Sequence, residues 1–554
     1  MSARPAKAAL FEQLAADGIS HMFGNPGTVE QGFLDELERH DLTYVLALHE
    51  GAAVGMADGY ARAGRRPALV QLHSGVGLGN GIGMLYQARR GGSPLVVLVG
   101  EAGIRYDAMD GQMAADLVAM ARPVTKYATR VTDVRSTLRV LRRAVKTAMT
   151  PPLGPVVVVL PADIMDELTS EPAVPTSVPD TRSVPAPQAV REAARLLGPA
   201  RNPLILMGDG VAASGAQREL TDVAERLGAP VWGVNCSEVN FDTTHPLYGG
   251  QTGHMFGKDS AKVVAGADAV LIVGTYVFPE VFPELDSPFD PGARIVHIDL
   301  DAYEIAKNFP VDLGLVADPR LALAALAAEL GPDGPAGPGS ADRAARLPER
   351  ARTRTPASAA PAPAPAPAPE ADASLMDVFA RTLAARAPEG LTVFDEALTA
   401  SGPLARHLPP REPGRFFQTR GGSLGVGIPG ALGIKLARPE LPVIAFTGDG
   451  GSMYTIQALW TAAREDIDAK FVICNNGRYR LLDLNIAQYW GELGIAPHDA
   501  PGSFDLTRPD IGFADLARSL GVPARRVEKA DEVASAIEEM WAHQGPYLID
   551  LVID

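Results

Sequence analysis

The sequence predicts an α/β protein made of three consecutive open parallel-sheet domains, and three observations carry that expectation. Strand-length β-branched runs alternate with helix-length segments along nearly the whole chain, the pattern of α/β domains with parallel sheets. Several runs end directly in glycine or small polar residues, and the carboxyl ends of such strands are where ligands bind. The chain has 554 residues, against roughly 150 for one ordinary domain, so it must divide.

In the first third, strands are expected at 44–48, 68–72, 95–99 and 156–160. A polar, proline-punctuated stretch from about Glu171 to Pro187 reads as a linker. The middle third repeats the pattern at 203–208, 230–232, 269–274 and 294–298. From Gly331 to about Ser374 the chain becomes rich in Pro, Ala, Gly and Arg, with strict Ala-Pro alternation from Ala360 to Pro369. Proline at every second place prevents helix and sheet, so an extended tether is expected there. The last third resumes with strands at 391–394, 443–446, 470–474 and 547–552. The expected domains are therefore 1–175, 185–330 and 374–554, with 331–373 as linker.

Hydrophobic residues at 46% and charged residues at 21% are ordinary globular values and exclude wholesale disorder. Fifty Lys+Arg against 66 Asp+Glu give a net charge of −16 without a basic cluster, which argues against a nucleic-acid or anionic-membrane partner. Cys236 and Cys474 are the only cysteines, too few for a disulfide scaffold or a cysteine-based metal cluster and suited to a reducing cytoplasm. The N-terminus lacks the apolar core of a signal peptide. The apolar runs are strand-length, far below the ~20 residues of a membrane span. A soluble, cytoplasmic protein is expected.

The sharpest motif is Gly448-Asp449-Gly450, directly after one strand, followed by Asn475-Asn476 after the next, with 27 positions from Asp449 to Asn476. Asp449 offers a hard anionic oxygen and Asn476 a neutral amide oxygen, a pairing suited to Mg²⁺ or Ca²⁺ rather than zinc. Gly450, Gly451 and Ser452 open a helix, where backbone N–H groups can take phosphate oxygens. A second motif begins at His49-Glu50 as the strand 44–48 ends, with a helix of small residues following. Gly421-Gly422-Ser423-Leu424-Gly425 is a third.

Together these motifs resemble the thiamine diphosphate (ThDP) enzymes, and within them benzoylformate decarboxylase, over nearly the whole chain. The resemblance implies pyrimidine-binding, middle and diphosphate-binding domains in that order. It implies Asp449, Asn476 and the backbone carbonyl of Arg478 as metal ligands. Glu50 would share a proton with N1′ of the aminopyrimidine, Gly422 would accept a bond from N4′, and Leu424 would support the cofactor's folded V shape. Asn25, Pro26, Gly27, Thr399, Gly450, Gly451, Ser452 and Tyr479 are the other implied cofactor-binding positions. The loop Phe23-Gly24-Asn25-Pro26-Gly27-Thr28 matches the Gly-Asn-Pro-Gly-Ser loop of benzoylformate decarboxylase, with Thr28 in place of the substrate-binding serine. Leu72-His73-Ser74 matches the loop whose histidine handles substrate protons, so Glu50, His73 and Thr28 are the expected catalytic residues.

The implied reaction is decarboxylation of a 2-oxo acid through a C2-carbanion/enamine. The implied assembly is a homodimer or homotetramer with active sites at subunit interfaces. Two departures keep carboligation, as in acetolactate synthase, or C–C lysis open. The stretch Val277–Glu284 holds no histidine where benzoylformate decarboxylase has its second one, and Arg478, Arg480 and Asn485 bring polarity to a segment that normally lines the substrate pocket. A dinucleotide oxidoreductase is disfavoured because Met207-Gly208-Asp209-Gly210-Val211 lacks the G-x-G-x-x-G fingerprint. A non-catalytic ThDP-like interaction protein would be expected to have lost Glu50, Asp449 or Asn476, and all three are present.

Overall fold

Three six-stranded parallel sheets succeed one another in the computed structural model, which describes residues 3–332 and 373–553. The Ala-Pro tether expected within 331–373 lies almost wholly outside the described residues. The first sheet comprises β1 (His21–Gly24), β2 (Thr43–Leu46), β3 (Ala68–His73), β4 (Leu95–Glu101), β5 (Tyr127–Arg130) and β6 (Val156–Pro161), in the order β2-β1-β3-β4-β6-β5. The second holds β7 (Pro203–Met207), β8 (Val231–Gly233), β9 (Tyr248–Gln251), β10 (Ala269–Val273), β11 (Arg294–Asp299) and β12 (Leu313–Val316), ordered β9-β8-β7-β10-β11-β12. The third holds β13 (Thr392–Glu396), β14 (Phe416–Gln418), β15 (Val443–Gly448), β16 (Ala469–Asn475), β17 (Ala524–Val527) and β18 (Tyr547–Val552), ordered β14-β13-β15-β16-β18-β17. The first and third sheets share one topology. The second has the order typical of doubly wound nucleotide folds.

The central strands are β-branched and buried on both faces, as parallel sheets with helices on each side require. Strands without that signature escape a sequence reading. β1 is His-Met-Phe-Gly and sits inside its sheet, and β5 is half-exposed Tyr-Ala-Thr-Arg at an edge.

Among the described residues, 3–180, 373–401 and 419–553 form one compact unit, and 181–332 with 402–418 form another. In the first unit, the helix α1 (Glu50–Gly64) crosses the helix α3 (Gly427–Ala437), and α2 (Ser74–Gly91) lies between α1 and the loop before α3. Glycine makes the α1–α3 crossing possible: a Cβ at Gly59 would collide with the backbone of Gly430, and one at Gly433 with the backbone of Met56. The stretch 171–187 is irregular apart from its last residue, which starts a helix. It is nonetheless anchored, since Gln13 exchanges two bonds with the Val174 backbone (2.6 and 3.2 Å) and Asp17 accepts from Thr176 N–H at 2.6 Å.

In the second unit, Asp209 accepts from Ser237 N–H, Glu238 N–H and Asn240 Nδ2. A Cβ at Gly208 or Gly210 would strike Thr275 or Gly274. The glycines after β7 thus serve loop-on-loop packing.

Candidate active site

Two clusters hold the residues singled out by sequence, both at carboxyl ends of strands in the first unit. In one, His49 caps α1 by accepting from Gly51 N–H at 3.0 Å, which sets Glu50 in the first turn. Glu50 is 6% exposed. Asn25 Nδ2 donates to its Oε1 at 3.2 Å and Asn80 Nδ2 to its Oε2 at 3.0 Å. Two amides, Asn25 from the loop after β1 and Asn80 from α2, therefore fix the carboxylate plane.

His73 ends β3 and stands across from Glu50: a Cβ at Gly77 would lie 3.2 Å from Glu50 Oε1 and 3.2 Å from His73 Cβ. Gly27 must be glycine because its Cβ would occupy the His73 ring. Pro26 and Thr28 are exposed beside it. His73 Nδ1 pairs with Glu30 Oε2 at 2.8 Å. Glu30 is 3% exposed, and burial pushes its carboxyl above the ordinary range against the pull of His73. Sequence reasoning missed Glu30 as a partner. It follows Thr28 by two positions, but only the fold reveals which histidine it meets.

The second cluster surrounds Asp449, which is 4% exposed. Its Oδ1 accepts from Gly450 N–H at 2.7 Å and its Oδ2 from Asn476 N–H at 3.2 Å. Burial raises its carboxyl, and the N–H groups of Gly450, Gly477, Arg478 and Asn476 pull it back down. Asn476 Oδ1 accepts from Arg478 N–H at 3.0 Å. Asn475 turns the other way, donating to Asp550 at 3.0 Å. The Arg478 guanidinium is engaged by Asp483 at 2.9 and 3.0 Å, which leaves its role at the site to its backbone.

Gly450 must lack a side chain because the Tyr479 ring covers it, and Leu424 reaches to 3.9 Å from a Cβ placed on Gly451. Ser452 hydroxyl donates to the Asp449 carbonyl at 2.7 Å. Thr399 is exposed on a short turn after β13.

Glu396, unremarked in the sequence, staples this cluster. It accepts from Gly425, Val426 and Gly427 N–H at 2.8, 3.1 and 2.8 Å and from Thr447 at 3.1 Å. Gly422, at φ +74°, lies in the same loop. Gly421 N–H donates to Gln87 at 2.6 Å, and Ser423 Oγ lies 3.8 Å from Met84 Sδ. Met84 Cγ is also 3.7 Å from a Cβ placed on Gly51. Met84 thus stands between the Glu50 turn and the Gly421–Leu424 loop.

The donors at Asp449, Asn476 and the Arg478 carbonyl are all oxygen. Among the described residues no group of three His, Cys, Asp or Glu side chains is arranged to hold a metal. The mixed oxygen set fits a hard divalent cation that is completed by phosphate oxygens and water. At Gly451 an added Cβ would meet Thr447 Oγ1 at 3.4 Å and Leu424 at 3.9 Å, so the backbone there is open enough to fit a diphosphate.

Comparison with known proteins finds matches along nearly the whole chain. Three family models match in succession: thiamine pyrophosphate enzyme, N-terminal TPP binding domain, over residues 4–120; central domain, over 190–326; and C-terminal TPP binding domain, over 399–551. Benzoylformate decarboxylase of Pseudomonas aeruginosa is 32% identical over 549 residues, covering 98% of each chain. The acetolactate synthase isozyme 2 large subunit of Escherichia coli is 26% identical, covering 98% of this chain and 94% of its own. The structure of a thiamine diphosphate-dependent 4-hydroxybenzoylformate decarboxylase from Rhodococcus jostii superimposes with a TM-score of 0.84 at 29% identity, over 99% of both chains. This chain belongs to the thiamine diphosphate-dependent enzymes. Its relatives include both decarboxylases and acetolactate synthases. Among the described residues no helix is long and apolar enough to cross a membrane.

Proposed function

We propose that this enzyme is a Mg²⁺- or Ca²⁺-dependent lyase that decarboxylates a 2-oxo acid, acting in the cytoplasm as a homodimer or homotetramer. The observation that carries the reading is the His73–Glu30 pair beside the amide-held Glu50. It supplies a proton carrier next to the carboxylate that would face the pyrimidine. Bound ThDP supplies the electron sink that lets a bond next to a 2-oxo carbonyl break.

The chain's own residues do the rest. Asp449, Asn476 and the Arg478 carbonyl would hold the cation, and Gly450, Gly451 and Ser452 would take the diphosphate. Leu424 offers an apolar prop, Tyr479 closes the Gly450 notch, and the Gly422 carbonyl would accept from the pyrimidine amine. Asn25, Pro26, Gly27 and Thr399 would border the cofactor. Glu50, positioned by Asn25 and Asn80, would share a proton with N1′ of the pyrimidine. His73, with Nδ1 committed to Glu30, presents Nε2 to take and give protons on the substrate near neutral pH. Thr28 would bind substrate.

Carboligation is the second reading, favoured by the missing histidine in Val277–Glu284, since one proton donor fewer would leave time for capture by an aldehyde. The deciding experiment incubates holoenzyme with a panel of 2-oxo acids, with and without aldehydes, and identifies products. Aldehyde and CO₂ alone support the lyase, and hydroxyketone formation supports the carboligase. No CO₂ from any 2-oxo acid overturns both.

A further inference from the structure

A cleft of about 70 Å³ opens beside the Glu30–His73 pair, walled in part by Glu30, Gln71, Gly100, Phe33, Lys7 and Asp166. Burial gives it a direction. Glu30 and Gln71 are 3% and 1% exposed, whereas the side chains of Lys7 and Asp166, joined by a 2.7 Å ion pair, are 20% and 65% exposed. Two polar atoms at the buried end, Glu30 Oε1 and Gln71 Nε2, have no hydrogen-bond partner among the described residues. The opposite atom of each side chain is taken, Glu30 Oε2 by His73 and Gln71 Oε1 by the Tyr44 hydroxyl at 2.6 Å. Gly100 supplies the space, since a Cβ there would collide with Glu30 Oε1. Leaving buried polar atoms unpaired is costly, so two of them at the end of a cleft call for partners. Val29, Leu98, Leu160, Ala162 and Met165 also line the cleft, so its polar groups sit at its two ends, and with roughly 10–15 Å³ needed to hold a first water it has room for a few.

We propose that this cleft is a hydrated proton port, in which a short file of waters bonds Glu30 Oε1 and Gln71 Nε2. The port lets the Glu30–His73 pair exchange protons with solvent without using the substrate entrance. The proposal rests on the assignment of His73 as the substrate-side proton carrier. In delivery, a hydronium in the cleft loses a proton to Glu30 Oε1, the Oε2–H bond breaks as Nδ1–H forms on His73, and Nε2–H breaks as the proton passes to the product. Each relay atom group gains one proton as it loses one, and the net transfer is one proton from solvent. The reverse sequence carries a proton out and restores the starting tautomer. Burial favours the protonated Glu30 from which delivery starts. One delivery alternates with one withdrawal, so the port equilibrates the pair with solvent in both directions, and the net proton consumed by loss of CO₂ reaches the product by another route.

The mouth can be closed without touching the pair. Gly32 lies in the helix Gln31–Leu37, and a Cβ there would be 3.3 Å from Lys7 Nζ and 3.9 Å from Asp166 Oδ1. Gly32→Leu therefore sets a branched side chain across the Lys7–Asp166 gate, at a position where leucine is the better helix former. Gly32→Ala is the control. A high-resolution crystal structure of the wild-type holoenzyme should show ordered waters bonded to Glu30 Oε1 and Gln71 Nε2. Deuterium uptake at the Glu30 carboxyl, followed by infrared spectroscopy and identified by difference against Glu30→Gln, should be at least about tenfold slower in Gly32→Leu than in Gly32→Ala. A dry cleft overturns the port, as do equal uptake rates in a Gly32→Leu variant whose mouth is seen to be filled. Near-normal single-turnover rates in His73→Ala would instead overturn the assignment on which the proposal rests. That failure is distinguishable, because neither water density nor carboxyl exchange depends on turnover.

Discussion

His73 and Glu30 lie 43 positions apart in the chain and 2.8 Å apart in space. A buried carboxyl group on Nδ1 orients the ring and leaves Nε2 to face the proton traffic. His73→Ala should keep ThDP and metal but lose on the order of 10²–10⁴ in turnover, the usual scale for one general acid–base. Single-turnover kinetics on fully loaded variant checks this, and a merely structural histidine would instead lower cofactor affinity. Glu30→Gln should lose less, because an amide can still bond Nδ1 and orient the ring but cannot pass a proton to it; turnover of the fully loaded variant checks this. Glu50→Gln should still bind ThDP but exchange the C2 proton of the cofactor far more slowly. A wild-type rate of deuterium exchange at C2 would remove Glu50 from its assigned role.

At the scale of elements, the α1–α3 crossing and the Glu396 staple hold the two halves of the site to their scaffolds. Gly59→Ala adds a methyl against the Gly430 backbone, which cannot swing away. Overpacking of this kind costs about 1–3 kcal/mol, whereas an unconstrained helical glycine would gain up to ~1 kcal/mol from alanine. Chemical denaturation should therefore show a loss of stability, and a gain would refute the close crossing. Glu396 is 2% exposed, and burial raises its carboxyl to about 7 despite four donated hydrogen bonds. The folded state thus keeps a proton that the unfolded chain releases near its ordinary pKa of 4.5. This contribution is fully present below pH ~4.5 and is lost as pH rises through about 7, in total roughly 3 kcal/mol. Unfolding of wild type and Glu396→Gln across pH 4.5–8 should diverge by that order, with wild type weakening as pH rises. Parallel curves would show that Glu396 does not titrate in the folded state.

For the whole molecule, the first and third sheets repeat one topology, and the proposed cofactor contacts are divided between them. Glu50 would act at the pyrimidine end and Asp449 at the diphosphate end. Asp449→Ala should accordingly lose metal and ThDP together while leaving the secondary structure intact, as measured by metal analysis, cofactor content and circular dichroism. If the active site is shared between subunits, as the family resemblance implies, light scattering should find no active monomer.

The alternation of buried strands with helices, the Gly-Asp-Gly and Asn-Asn turns, and the Glu50 helix were all legible in the sequence. Each is a local pattern in which residue type and spacing already specify backbone and chemistry. β1 was not legible, because His-Met-Phe-Gly has no β-branched residue and becomes a strand only by pairing with β2 and β3. Glu30 was not legible as the partner of His73, nor Glu396 as the staple of the Gly425–Gly427 loop. Nothing in the sequence announces which buried carboxylate will meet which distant donor. The cleft beside Glu30 was hidden for the same reason: it is bounded by Lys7, Gln71, Gly100 and Asp166, whose nearness exists only once the sheet has formed. Local sequence determined the parts and their chemistry. Only long-range packing, which decides what surrounds each buried polar atom, determined the pairings that make them a site.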